Sequence, residues 1–140
     1  MPCKYTIERN GELVLERWHG VVSPDEILGQ KDVLLREDGI SEGATVLSDC
    51  RDAEFVISQE AVELFAKAEG NVAGETRIKR YGFLVRDDVY NQAQFFSEKV
   101  KQFGVTSIVF NSFEVASKWV GLSAEELDGL MSRLDGRTAS

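Results

Sequence analysis

The chain has 140 residues, 43% of them apolar and 29% charged, with only two prolines, the make-up of one folded domain large enough to bury a core. A formal charge of −8 argues against nucleic acid or an acidic membrane as partner of the whole surface, and no apolar run is long enough to span a bilayer. The start, Met1-Pro2-Cys3-Lys4, lacks a signal-peptide core, so a cytoplasmic protein is expected.

Cys3 to Glu8 alternates, with Cys3, Tyr5 and Ile7 on one face. Asn10-Gly11 is then a strong hairpin signal, followed by a return strand from Leu13 to about Trp18. Ser23-Pro24-Asp25-Glu26 combines a capping hydroxyl, a proline at the first helical position and two acids against the dipole. The helix it opens has Ile27, Leu28, Leu34 and Leu35 as its expected buried stripe and ends at Asp38-Gly39.

Thr45, Val46 and Leu47 form a short apolar run bounded by Gly43 and Ser48-Asp49, the pattern of a central strand covered on both faces. A loop should follow, and Ser58 can cap a helix with Ala61, Phe65 and Ala68 on one side. Gly70 to Thr76 is a polar connector, and Ile78 to Val85 the next strand. Arg77, Lys79, Arg80 and Arg86 flank that strand as a solvated basic cluster.

Asp87 or Asp88 is placed to cap a third helix, whose Val89, Ala93, Phe96, Val100 and Phe103 give the cleanest amphipathic period in the chain. Val105 to Phe110 is a further short strand. Asn111-Ser112-Phe113-Glu114 and Ser123-Ala124-Glu125-Glu126 both read as capping boxes. The last helix carries Leu127, Leu130, Met131 and Leu134 on one stripe. Strands alternating with helices after a hairpin imply an α/β fold: a mixed sheet of about five strands, antiparallel at its opening, parallel later, with helices packed on it.

Three phrases in this order resemble the SpoIIAA-like family, a group of STAS-type domains likened in fold to CRAL-TRIO lipid carriers. They are Asn-Gly-Glu-Leu-Val-Leu-Glu-Arg-Trp-His-Gly from Asn10, Ser-Pro-Asp-Glu-Ile from Ser23, and Val-Phe-Asn-Ser-Phe-Glu-Val-Ala-Ser-Lys-Trp-Val from Val109. The resemblance covers residues 3 to 121, so the domain is drawn over 1–121. Residues 122–140, a helix and a frayed tail, belong to the same domain or to a dimer interface made by the Leu127, Leu130, Met131 and Leu134 stripe.

Better-known relatives in that group are anti-sigma-factor antagonists, switched off by phosphorylation of a serine in an Asp-Ser-Ser-Gly motif at a helix start. Ser58 matches that serine by position, which makes it the candidate switch residue. Its neighbours depart from the motif, with Ile57, Gln59 and Glu60 where aspartate, serine and glycine would stand. Glu60 in the first turn would repel a phosphate, so Ser58 is read first as a helix cap.

Ligands in open α/β sheets gather outside the carboxyl ends of strands, which makes Asp49, Cys50, Asp52, Asp87, Asp88 and Asn111 candidates for a ligand or partner surface. Their carboxylates would suit a hard cation such as magnesium, but Asp87, Asp88 and Asn111 are also ordinary caps, and no metal or other cofactor is expected. Cys50 with the single histidine, His19, invites a nucleophile reading, yet free cysteine is usually packing material. No catalytic motif is present, and the protein is expected not to be an enzyme.

Phe95 lies off the stripe of its helix and Phe55 falls in the expected loop, so both are candidates to line an apolar pocket or partner surface. The expected role is binding, of a regulatory protein or of a small apolar molecule held between sheet and helices. The partner-switched antagonist is a further alternative.

Overall fold

The computed structural model describes residues 2–56, 58, 60, 77–101 and 106–135, with backbone only at residue 100. β1 (Cys3–Glu8) turns into β2 (Leu13–Val22) through Arg9, Asn10 and Gly11, all three with φ between 54° and 94°. A Cβ at Gly11 would stand 2.2 Å from the Gly39 carbonyl oxygen, so only glycine fits both the turn and its close neighbour. The chain continues through α1 (Pro24–Leu35), β3 (Ala44–Phe55), β4 (Ile78–Leu84) and a short 3-10 turn at Asp87–Val89. It closes with α2 (Tyr90–Lys101), β5 (Ser107–Phe110), α3 (Phe113–Trp119) and α4 (Ala124–Leu134).

The strands form one sheet in the order β1-β2-β3-β4-β5. β1 and β2 are antiparallel, from Cys3 opposite Trp18 to Glu8 opposite Leu13, and the remaining pairs are parallel. The expected mixed α/β sheet is therefore the fold. Leu13 to Trp18 is buried at every position because both faces of β2 are covered.

One face packs Leu13, Leu15, Leu47, Leu84 and Phe110 against Ala116, Val120, Leu127 and Met131 of the last two helices. The other carries two clusters, Cys3, Trp18, Val22, Cys50, Ala53, Val85 and Val109, and Val14, Leu34, Ile40, Ala44, Val46 and Ile78, beneath α1 and α2. At Gly82 a Cβ would lie 2.5 Å from Trp119 Cζ3, so the missing side chain lets α3 approach the sheet.

Ser23 and Ser123 each complete the expected capping box, with Glu26 and Glu126. Other boundaries moved. β3 does not stop at Leu47, and the expected loop from Asp49 onward is strand as far as Phe55. Those residues pair with His19 to Val22 of a β2 that is itself longer than expected, past an irregularity where one extra β3 residue is accommodated. Asp49 and Asp52 read as loop by their charge, but here that charge is neutralised inside the strand pair, and tertiary context overrides propensity.

The Asn111 cap is also displaced by one residue. Ser112 Oγ accepts from the Val115 N–H, while Asn111 Nδ2 donates to Asp87 Oδ1 at 2.9 Å. Neither Asp87 nor Asp88 caps α2, since both lie inside the preceding 3-10 turn, and Asp88 accepts from Arg86 Nε at 3.0 Å. The helix expected from Ser58, with Ala61, Phe65 and Ala68, and the connector to Thr76 lie outside the described residues, as do Phe103 and the Val100 side chain.

The Leu127, Leu130, Met131 and Leu134 stripe does not face outward. Leu127 and Met131 are buried in the core shared with the sheet, and Leu130 and Leu134 pack against it. The domain's own core covers the face assigned to a second subunit.

Candidate functional site

The alternation of β2 and β3 sends neighbouring side chains to opposite faces, and this separates two polar assemblies that the sequence runs together. On the face under α3 and α4, Arg17, with a side chain 7% exposed, reaches three carboxylates. Its Nη1 donates to Asp49, its Nη2 to Asp52 Oδ2 and its Nε to Asp135 Oδ1 at 3.2 Å. Asp49, fully buried, also accepts from Arg51 Nε at 2.9 Å and Nη2 at 2.8 Å, and the Arg51 guanidinium lies 4.9 Å from the centre of the Phe113 ring. His19 Nε2 stands 2.9 Å from Asp135.

Burial alone would raise the Asp49 carboxyl, but the bonds and charge of Arg51 and the charge of Arg17 outweigh it and hold the carboxyl below its ordinary value. This assembly is an ion-paired knot in which Arg17 and Arg51 are held by the carboxylates of Asp49, Asp52 and Asp135.

On the opposite face, between the sheet and helices α1 and α2, lies a cavity of about 620 Å³. Trp18, Phe55, Phe83 and Phe96 supply its aromatic wall, with Trp18 edge-on to Phe55 at 5.7 Å and Phe83 edge-on to Phe96 at 6.0 Å. A polar group opens onto the same space. Glu16 and Ser48, neighbours across the β2–β3 ladder, and Gln30 of α1 are all buried. Ser48 Oγ donates to Glu16 Oε1, and Gln30 Nε2 donates to Glu16 Oε2 at 2.8 Å.

Lys31 also lines the cavity, with its ammonium 5.2 Å from the centre of the Tyr81 ring. Burial pulls its pKa below the ordinary lysine value against the opposing attraction of Glu16. Exposed Asp52, Glu54, Arg86 and Asp88 stand at the cavity's lip.

The structure thus divides the predicted site residues. Cys50, Phe55, Asp52 and Asp88 border the cavity, and the Cys50 thiol donates to the Ser48 carbonyl at 3.7 Å. Asp49 belongs to the ionic knot on the other face, and the Asp52 carboxylate is held by the same Arg17. Asp87 and Asn111 bond each other at the surface, away from the cavity. Phe95 is not part of the wall. The on-stripe Phe96 faces the sheet, and one helical step of about 100° turns Phe95 aside, beneath the Lys99 ammonium at 5.3 Å. Ser58 is exposed. Asp49, Asp52, Asp87 and Asp88 do not converge, and among the described residues no three His, Cys, Asp or Glu side chains are grouped to hold a metal ion.

The residues missed by sequence reasoning are Glu16, Trp18, Gln30, Lys31, Ser48 and Tyr81. Their signal lies partly in α1, whose inward stripe is Ile27, Gln30, Lys31 and Leu34, while Leu28 and Leu35 are each 41% exposed. The expected stripe of Ile27, Leu28, Leu34 and Leu35 followed apolar residues alone. Glu16 inside the apolar run Leu13 to Trp18 is the other available signal, because a carboxylate in a strand covered on both faces needs a partner.

Among solved structures, the chain is similar to an uncharacterized protein of the DUF3478 family with a SpoIIAA-like fold from Shewanella loihica PV-4, with a TM-score of 0.53 and 14% identity. The alignment covers 84% of this chain and 92% of that one. No family model and no curated protein matches the sequence. With its hairpin-first mixed sheet and that structural neighbour, the chain has a SpoIIAA-like fold.

Proposed function

We propose that this protein is a binding module, not an enzyme, and that it holds a small, mainly apolar molecule between the sheet and helices α1 and α2. The cavity carries this reading. Its volume of about 620 Å³ falls within the roughly 300–1,000 Å³ usual for small-molecule sites, and it joins aromatic walls to a few convergent polar groups. Two buried free thiols suit the reducing cytoplasm expected for it.

Native mass spectrometry of protein purified from its own host tests the reading. A small adduct retained under native conditions and lost on denaturation is the expected result. A bare chain that also takes up no apolar probe in solution overturns it. The partner-switch alternative has the exposure of Ser58 in its favour. A covalent gain of about 80 Da at Ser58, the mass of an added phosphoryl group, would establish that alternative.

A further inference from the structure

We infer that the cavity selects a neutral apolar molecule with a hydroxyl head group, an alcohol, over an ionised carboxylate or ammonium of the same size; this rests on the binding role proposed above. The polar group inside the cavity has a definite donor and acceptor balance. Glu16 can accept about four hydrogen bonds, and Ser48 and Gln30 supply two. Ser48 spends its only proton on Glu16. Gln30 spends one amide N–H and keeps the other, together with its carbonyl oxygen.

A single hydroxyl complements this pair, because it donates to Glu16 and accepts from Gln30 at once. A carboxylate head brings acceptors to a group already rich in them and satisfies only the Gln30 N–H. An ammonium head satisfies Glu16 and the Gln30 carbonyl oxygen, but it leaves the Gln30 N–H without an acceptor and adds a second positive charge to a wall that already holds Lys31.

Charge selects in the same direction. Among the described residues, Glu16 and Lys31 are the carboxylate and amine of the inner wall, one of each sign, so a charged head group finds no net counter-charge among them. At the lip, Asp52 is paired with Arg17 and Asp88 with Arg86, which leaves the Glu54 carboxylate as the net charge there among the described residues, and it disfavours the approach of anions. The apolar portion of the ligand then lies along Trp18, Phe55, Phe83 and Phe96.

Decanol, decanoate and decylamine, titrated at neutral pH into a Trp119→Phe variant, separate the possibilities. Trp18 is the remaining tryptophan and lies on the cavity wall, and thermal stabilisation gives an independent readout of binding. Decanol is expected to bind at least about tenfold more tightly than either charged probe, the difference that one well-made hydrogen bond to a charged group supports.

Glu16→Gln should narrow or reverse the preference over decanoate by removing the inner negative charge. Gln30→Met, close in shape, should narrow the preference for decanol over decylamine by about tenfold, because it removes the N–H that only the hydroxyl accepts from, and this keeps the inference testable if Glu16→Gln folds poorly. Decanoate or decylamine binding as tightly as decanol overturns the hydroxyl preference and leaves the carrier reading standing. If none of the three shifts Trp18 emission or the melting temperature, the carrier reading fails and the preference falls with it.

Discussion

Arg17 balances three carboxylates from a side chain almost sealed from water, and the consequences of disturbing it are asymmetric. Removing one partner of a buried pair leaves a charge without compensation. Asp49→Asn is therefore expected to cost about 3–5 kcal/mol of stability, measured by urea denaturation. The native carboxyl titrates below its ordinary value of 3.8, so its stabilisation is fully present above that value and is lost as pH falls through the lower native one. Wild-type stability should consequently fall more steeply in acid than that of Asp49→Asn, and equal slopes would show that Asp49 is not held as described. Gly82→Ala tests another tight contact: its new Cβ meets Trp119 Cζ3 at 2.5 Å and Phe110 Cε2 at 3.1 Å. A loss of about 1–3 kcal/mol is expected, with a shift in Trp119 emission as the ring gives way.

Among the elements, α4 makes the clearest prediction. Leu127→Ala should cost about 2–5 kcal/mol, as for a leucine lost from a packed core, and the loss should not depend on protein concentration. A concentration-dependent loss would restore the helix to a subunit interface. The start of this helix was legible because Ser123 and Glu126 interact within one turn, and the same holds for Ser23 and Glu26 of α1. The hairpin was legible for a similar reason, since the Asn10-Gly11 turn is encoded where it forms. The phase of α1 was not. Gln30 and Lys31 point inward because a polar group and a cavity await them, and those partners lie on β2 and β3, remote in sequence. The length of β3 was hidden likewise, as the Arg17 that makes Asp49 and Asp52 acceptable in a strand lies on its neighbour. Local signals placed the starts of α1 and α4 and the hairpin turn; long-range pairing decided which side chains meet.

Across the whole molecule, the sheet separates two tasks. Its α3 and α4 face is packed with apolar side chains, Phe110 and Trp119 among them, and holds the Arg17 knot, while among the described residues its α1 and α2 face leaves space. Filling that space should therefore affect binding far more than folding. Ala93→Leu, on the cavity wall, is expected to change stability by less than about 1.5 kcal/mol yet weaken uptake of an apolar probe at least tenfold; a variant that binds as before would place the ligand elsewhere. The two cysteines give the same partition a chemical timescale. Burial, reinforced by nearby negative charge, pushes both thiols well above their ordinary pKa, so at neutral pH neither is an effective nucleophile while the fold is closed. Alkylation must then wait for opening. Cys50 borders the cavity and Cys3 does not, so their separate labelling rates would distinguish loosening of the binding face from loosening of the strand edge, with Cys3 as an internal reference. A ligand in the cavity would slow the Cys50 clock more than the Cys3 clock, and the protein thereby carries a native reporter of its own occupancy.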